Sequence, residues 1–313
     1  MMGIGLVCAT AIIFVFTLRV RRSLPDEHQQ SFSSPIDNLT CVLFDAKRNL
    51  LVAGNATGQV VYWKQPDDRA VTLDRWTAQP LTAMTMTPDG LLIAGSLSNE
   101  VFAWDFEENA MRQLPSIGAP VGCIGFRQDR LELILGLSNG VMTIVSPKSK
   151  NRHIKSGHRG SVKSIAIDPS GNILVTGGSD GKLIWRVADT KKVSGSSQLH
   201  QAEIGALCFT SDGSKLISGD WNGTIAVWNS RDGKPLKDWE QPDAVSGFIP
   251  SSLGLITGSW DGKLRVWSWT DWQLIAEIDT GRPIYALAAG INPETVFTVS
   301  NTAELDEWKI SIR

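Results

Sequence analysis

Seven times along the chain, an apolar run with a small residue at its third position opens a unit that mostly closes on tryptophan; corresponding positions recur every 39 to 42 residues. A fixed period of that length belongs to architectures in which each unit is one supersecondary element that buries its apolar face only by stacking on its neighbours. The opening runs are residues 39–44, 81–86, 121–126, 162–167, 204–209, 244–249 and 284–289. Their third residues are Cys41, Ala83, Cys123, Ser164, Ala206, Ser246 and Ala286, all small. The closing position holds Trp63, Trp104, Val145, Trp228, Trp267 and Trp308 in register, while Trp185 of the fourth unit arrives one residue early. That offset predicts a bulge or deletion in the fourth unit.

Between these markers lie short alternating runs separated by Asn-Gly or Asp-Gly, the pattern of β-hairpins. The turn glycine recurs at Gly58, Gly140, Gly181, Gly223 and Gly262, with Asn99 and Ala303 in its place in the second and seventh units.

With these residues the chain resembles the WD-repeat family. Gly-Ser-Asp-Gly at 178–181, Gly-Asp-Trp-Asn-Gly at 219–223, Gly-Ser-Trp-Asp-Gly at 258–262 and the Trp104-Asp105 dipeptide carry the resemblance, which covers residues 38–313. It implies an all-β fold, a seven-bladed WD-repeat β-propeller. It also implies a bonded set of His, Ser or Thr, Asp and Trp within a blade. The fourth unit offers His158, Thr176, Asp180 and Trp185, and the fifth His200, Ser218, Asn222 and Trp228. The other units lack the His and are expected to rely mainly on apolar packing. Too little chain follows Trp308 for an outer strand, so part of residues 27–34 (EHQQSFSS) is expected to complete the last blade.

A second feature precedes the repeats. Residues 1–18 carry no charged side chain, and about 18 residues at 1.5 Å rise span roughly 27 Å, close to the hydrocarbon thickness of a bilayer. A cleaved signal peptide carries its positive charge before the apolar stretch, whereas Arg19, Arg21 and Arg22 follow it here. The expectation is one uncleaved N-terminal transmembrane helix, single-pass, with the propeller on the cytoplasmic side because the arginines flank that end. The organisation read from the sequence is an anchor with basic flank at 1–22, a short linker and ring-closing strand at 23–37, and the propeller at 38–313. Three sequons, at Asn38, Asn55 and Asn222, test the orientation in a eukaryotic host, because a glycan on any of them reverses it.

Enzymatic chemistry finds little support. Residues 177–181 (GGSDG) match G-x-S-x-G, but that nucleophile motif requires a strand feeding a helix and here falls in a hairpin turn. The four histidines show no metal-ligand spacing, and no phosphate loop or dinucleotide fingerprint occurs, so no cofactor is expected. Lys163 is the one charged residue in the seven opening runs, leaving a channel wall without paired acids and bases. The cysteines of the repeats, Cys41, Cys123 and Cys208, fall in non-adjacent units and are expected to be free thiols. A net charge of −2 argues against nucleic acid.

A binding platform is the favoured function: a non-catalytic scaffold, monomeric within a larger assembly, that docks a protein or peptide. Trp221 and Trp260 each immediately precede the turn Asn or Asp of adjacent units, and the resemblance places that position on a partner-binding face. They are read either as contact hot spots or as covers over the blade cores. Trp267 and Trp269 alternate onto one strand face, while Trp76 and Trp239 read as loop anchors in connections. From Lys148 to Lys163 the basic residues Lys148, Lys150, Arg152, Lys155, Arg159 and Lys163 meet no acidic one. That stretch is either a surface for anionic lipid or a strand edge protected by its charges. The alternative function is an enzyme or small-ligand sensor at the channel mouth.

Overall fold

The computed structural model describes residues 28–65, 69–73, 76–114, 117–146 and 149–310. They form seven four-stranded antiparallel sheets, each the blade of a ring. Blade one comprises Leu39–Asp45, Leu50–Asn55, Val60–Lys64 and Ala70–Thr72 from inside to outside. Five further blades repeat that order, with inner strands Leu81–Met86, Val121–Arg127, Val162–Ile167, Ile204–Phe209 and Val245–Pro250. Blade seven takes three strands from the end of the chain (Ala286–Ala289, Thr295–Val299, Glu304–Lys309), and its outer strand is His28–Ser33.

The core consists of apolar layers between consecutive blades. Val121 and Leu135 share one with Ile93 and Val101, and Leu216 and Trp228 share another with Val175 and Trp185. The layer at the ring closure holds Phe32 of the closing strand, 1% exposed, against Trp63 of blade one and Phe297 of blade seven, ring centroids 6.2 Å away in each case.

Close approach between blades explains the column of small residues. A Cβ added at Gly136 would lie 2.4 Å from Cys123 Sγ and 2.7 Å from Val162 Cγ1 of the next blade, so neither strand has room for bulk there. In the first six blades the register shifts just after the first residue of the inner strand, as between Val121 and Cys123, so the small residue sits past a bulge. In blade six that shift falls between Val245 and Gly247, which pairs with Gly258. The small third residue is therefore Gly247, one place beyond Ser246.

The fourth unit also differs from its expectation. A register shift does fall between Trp185 and Arg186 where the third strand meets the outer one, but blade five has the same shift between Val227 and Trp228. None interrupts the central hairpin of blade four, where Leu174 pairs with Arg186 and Val175 with Trp185. In blade five the closing Trp228 pairs with Leu216, twelve positions earlier, the same separation as Leu174 to Arg186. Arg186 thus occupies the closing position. Because successive strand residues point to opposite faces, Trp185 turns the other way, onto Trp228 of blade five at 5.5 Å between ring centroids.

Trp239 lies within the outer strand Pro235–Glu240 of blade five, not in a connection. It stacks on Trp272 and packs against Trp267, at 5.7 and 5.2 Å. Trp269 meets Trp272 edge to face and donates from Nε1 to the Ser251 carbonyl at 2.8 Å. Trp76 does anchor a connection, stacked at 6.4 Å on Trp104.

The expected membrane segment, with Arg19, Arg21 and Arg22, lies outside the described residues, as does Lys148. Among the described residues no helix is long and apolar enough to cross a membrane.

Candidate functional site

Bonded polar sets lie buried inside blades four to seven, and an aromatic row lies on one end of the ring. The buried sets shape the turns from which the row projects.

In blade four, His158 Nδ1 lies 3.0 Å from Asp180 Oδ1 and Nε2 lies 2.9 Å from Thr176 Oγ1. Trp185 takes no part, and its Nε1 is buried without a hydrogen-bond partner. Arg186 fills the vacated place, 3% exposed. It donates to the Lys191 carbonyl at 2.9 Å and to the Ser156 carbonyl in the connection from blade three. Burial without a carboxylate partner lowers its pKa. Burial also lowers the pKa of His158, outweighing the pull of Asp180. For Asp180 burial acts upward, but bonds from the Arg159 and Lys182 amides and from His158 hold it below the usual carboxylate value.

In blade five the acidic partner is Asp220, not Asn222. Asp220 Oδ2 lies 3.0 Å from His200 Nδ1, and Ser218 Oγ lies 2.6 Å from Nε2 and accepts from Trp228 Nε1 at 2.8 Å. Asp220 reaches the histidine from the end of its strand, whereas blade four has Gly178 there. A Cβ on Gly178 would lie 2.4 Å from His158 Nδ1, so the carboxylate must come from the turn instead. Blades six and seven keep part of the set without a histidine. Trp267 donates to Thr257 at 3.1 Å, Thr257 donates to Gln241 Oε1 at 3.2 Å, and Trp308 donates to Thr298 at 2.9 Å. Their closing tryptophans are therefore hydrogen-bonded as well as packed.

Asp220 also builds the turn that presents Trp221. Its Oδ1 accepts from the Asn222 amide at 3.0 Å and the Thr224 amide at 2.9 Å. Gly223 takes φ 89°, where a side chain is disfavoured. Trp221 N then donates to the Glu203 carbonyl at 3.0 Å, and Trp260 N to the Ala244 carbonyl at 3.1 Å. Both indoles project from turns between second and third strands. Their rings are 5.5 Å apart, and they are 46% and 41% exposed. Tyr285 of blade seven extends the row, 5.7 Å from Trp260. Lys163 of blade four sits 5.6 Å over the Trp221 ring while paired with Glu203 at 2.9 Å. A Cβ on Gly205 would lie 2.7 Å from Trp221 Nε1, so glycine lets the indole lie across the channel rim.

Arg159 of the basic stretch stays at this end of the ring, its amide donating to Asp180 Oδ2 at 2.9 Å, and three other basic residues lie elsewhere. Lys150, Arg152 and Lys155 are exposed on the outer strand Ser149–Lys155 of blade three, and Arg152 pairs with Glu132 at 3.1 Å. The sequence did not single out Glu203 or Tyr285, because neither belongs to a repeat marker.

The channel beneath the row holds a cavity of about 260 Å³, lined by Thr82, Cys123, Lys163, Ser164, Ser246 and Phe248 among others. Burial pushes the Cys41 and Cys123 thiols up to about 12, far from a reactive thiolate. No group of three metal-ligating side chains occurs among the described residues.

Residues 149–185, 192–229 and 233–268 match the family described as WD domain, G-beta repeat. The chain is similar to Cell division cycle 20.6, cofactor of APC complex, from Arabidopsis thaliana, with 29% identity over 157 residues, 47% of this chain and 36% of that protein. It is also similar to Protein FIZZY-RELATED 1 of Arabidopsis thaliana, with 28% identity over 196 residues, 60% of this chain and 38% of that protein. The chain thus spans little more than a third of the length of these relatives. Among solved structures, a chain of the Crystal Structure of Mitotic Checkpoint Complex superposes with TM-score 0.82 at 18% identity, covering 94% of this chain and 99% of that one. Three WD repeats are thus matched within residues 149–268, and the described residues form the seven blades of a β-propeller.

Proposed function

We propose that the chain is a non-catalytic docking propeller, held at a membrane by residues 1–22 with its ring in the cytoplasm. It engages a protein or peptide partner through the turn face bearing Trp221 and Trp260. The exposure of that indole pair carries the reading: two large aromatic surfaces face solvent on rigid turns, where they supply much contact area with few rotamers to freeze. The flanking Lys163–Glu203 pair adds polar groups at the rim of the patch. A role within a larger assembly agrees with the likeness to a protein named as a cofactor of the APC complex.

The test is affinity capture with the intact chain and with a Trp221→Ala/Trp260→Ala double variant, alongside their unfolding curves. The double variant is expected to weaken capture of its partners by about 2 kcal/mol or more, while each change alters stability by roughly half a kcal/mol. Equal capture by both proteins rejects the docking role, and a stability loss of several kcal/mol assigns the indoles to structure.

A further inference from the structure

The strands of each blade are antiparallel, so turns joining the second and third strands lie at one end of the ring, and turns joining the first and second lie at the other. Trp221 and Trp260 follow the second strands Lys215–Asp220 and Leu255–Ser259. They mark the first of these faces. The closing strand runs the opposite way to Glu304–Lys309, with His28 opposite Trp308 and Ser33 opposite Glu304. His28 therefore stands at the other face. Lys309 there pairs with Thr295, the residue that follows loop 290–294 of blade seven.

The chain thus joins the ring from the face turned away from the indole pair. Arg22 precedes His28 by six residues, a reach of at most about 21 Å. Within the loop beside that entry, Ile291 is 63% exposed, the highest value among the large hydrophobic side chains described. Its neighbours Glu294, Glu307 and Lys309 share one shallow hollow, which gives this corner no excess of positive charge.

We propose, resting on the tether suggested above, that the lipid bilayer lies against this face at blade seven. Ile291 enters the interfacial region while Trp221 and Trp260 point into the aqueous phase. An aliphatic side chain so placed loses contact with water as it meets the acyl boundary. With two acidic groups and one basic group beside it, this contact does not require anionic lipid.

The test uses the full chain carrying Cys8→Ala, reconstituted in phosphatidylcholine vesicles. A single environment-sensitive fluorophore is attached through Ile291→Cys or, as the opposite-face control, Asn222→Cys. The expected result is several-fold stronger quenching by doxyl-labelled lipid at position 291 than at 222, unchanged when phosphatidylserine is added. Equal quenching at both positions, or stronger quenching at 222, overturns the orientation and leaves the tether standing. Recovery of the chain in the supernatant after an alkaline wash overturns the tether and this inference together, without touching the docking role of the indoles.

Discussion

Ser218→Ala removes the hydroxyl that accepts from Trp228 Nε1 and contacts His200 Nε2. Trp228 is 0% and His200 1% exposed, so water reaches neither ring to replace the lost partner. Each orphaned group costs about 1–3 kcal/mol, and the pair should cost roughly 2–6 kcal/mol, seen as a lower urea midpoint with unchanged slope. Blade one supplies the reciprocal experiment. Ala53 stands two residues beyond Leu51, as Ser218 stands two beyond Leu216, and the matching Trp63 Nε1 is buried without a partner. Ala53→Ser places a hydroxyl where that indole can donate to it, with the Val61 carbonyl as the counterpart of the Ala226 carbonyl that Ser218 reaches at 3.5 Å. It should stabilise by about 1 kcal/mol. The reasoning fails if Ser218→Ala stays within about 0.5 kcal/mol of the parent, or if Ala53→Ser destabilises the ring as much as Ser218→Ala does.

Arg186→Leu should cost about 2–4 kcal/mol by stripping donors from the buried Ser156 and Lys191 carbonyls, with faster amide exchange confined at first to residues 155–159; uniform exchange across all blades would contradict this. The lowered pKa of His158 means that the unfolded chain protonates this ring more readily than the folded one. Its contribution is present above about pH 6.5 and is lost as pH falls through the lower folded value. Asp180, also lowered, adds a further loss below its ordinary value of 3.8. His158→Gln should flatten the upper part of that decline in denaturation midpoints measured from pH 7.5 to 5, and an unchanged profile would refute the assignment. Phe32→Ala should cost about 3–5 kcal/mol, because this 1% exposed ring fills the layer where blade seven meets blade one; proteolysis beginning anywhere but at the two chain ends would argue against it.

The ring was legible in the sequence because its determinants are local and repeated. Close inter-blade contact excludes bulk beside Gly136 and its counterparts, so small residues recur at one spacing whatever the rest of the unit does. The polar sets were only half legible. Either Asp220 or Asn222 fits a turn that reads Gly-Asp-Trp-Asn-Gly, and the strand end, not the spacing, decides that Asp220 reaches His200. Trp185 misled for a related reason. An indole near the expected place reads as the family residue, yet one step along a strand reverses its face and leaves the site to Arg186. The mutual contact of Trp221 and Trp260 was beyond the sequence, since it depends on how far adjacent blades splay at the rim.

The bond from Ser31 to Asp306 spans 275 positions of the chain. On the ribosome, the strand that seals the circle is therefore made before every other strand of the ring, and its mate emerges only some 275 positions later. At cellular elongation rates it stays without that mate for on the order of tens of seconds. For that interval Phe32 is uncovered and the strand edge is open to any complementary chain nearby, which makes nascent copies a natural clientele for chaperones that shield apolar segments until the mate strand emerges.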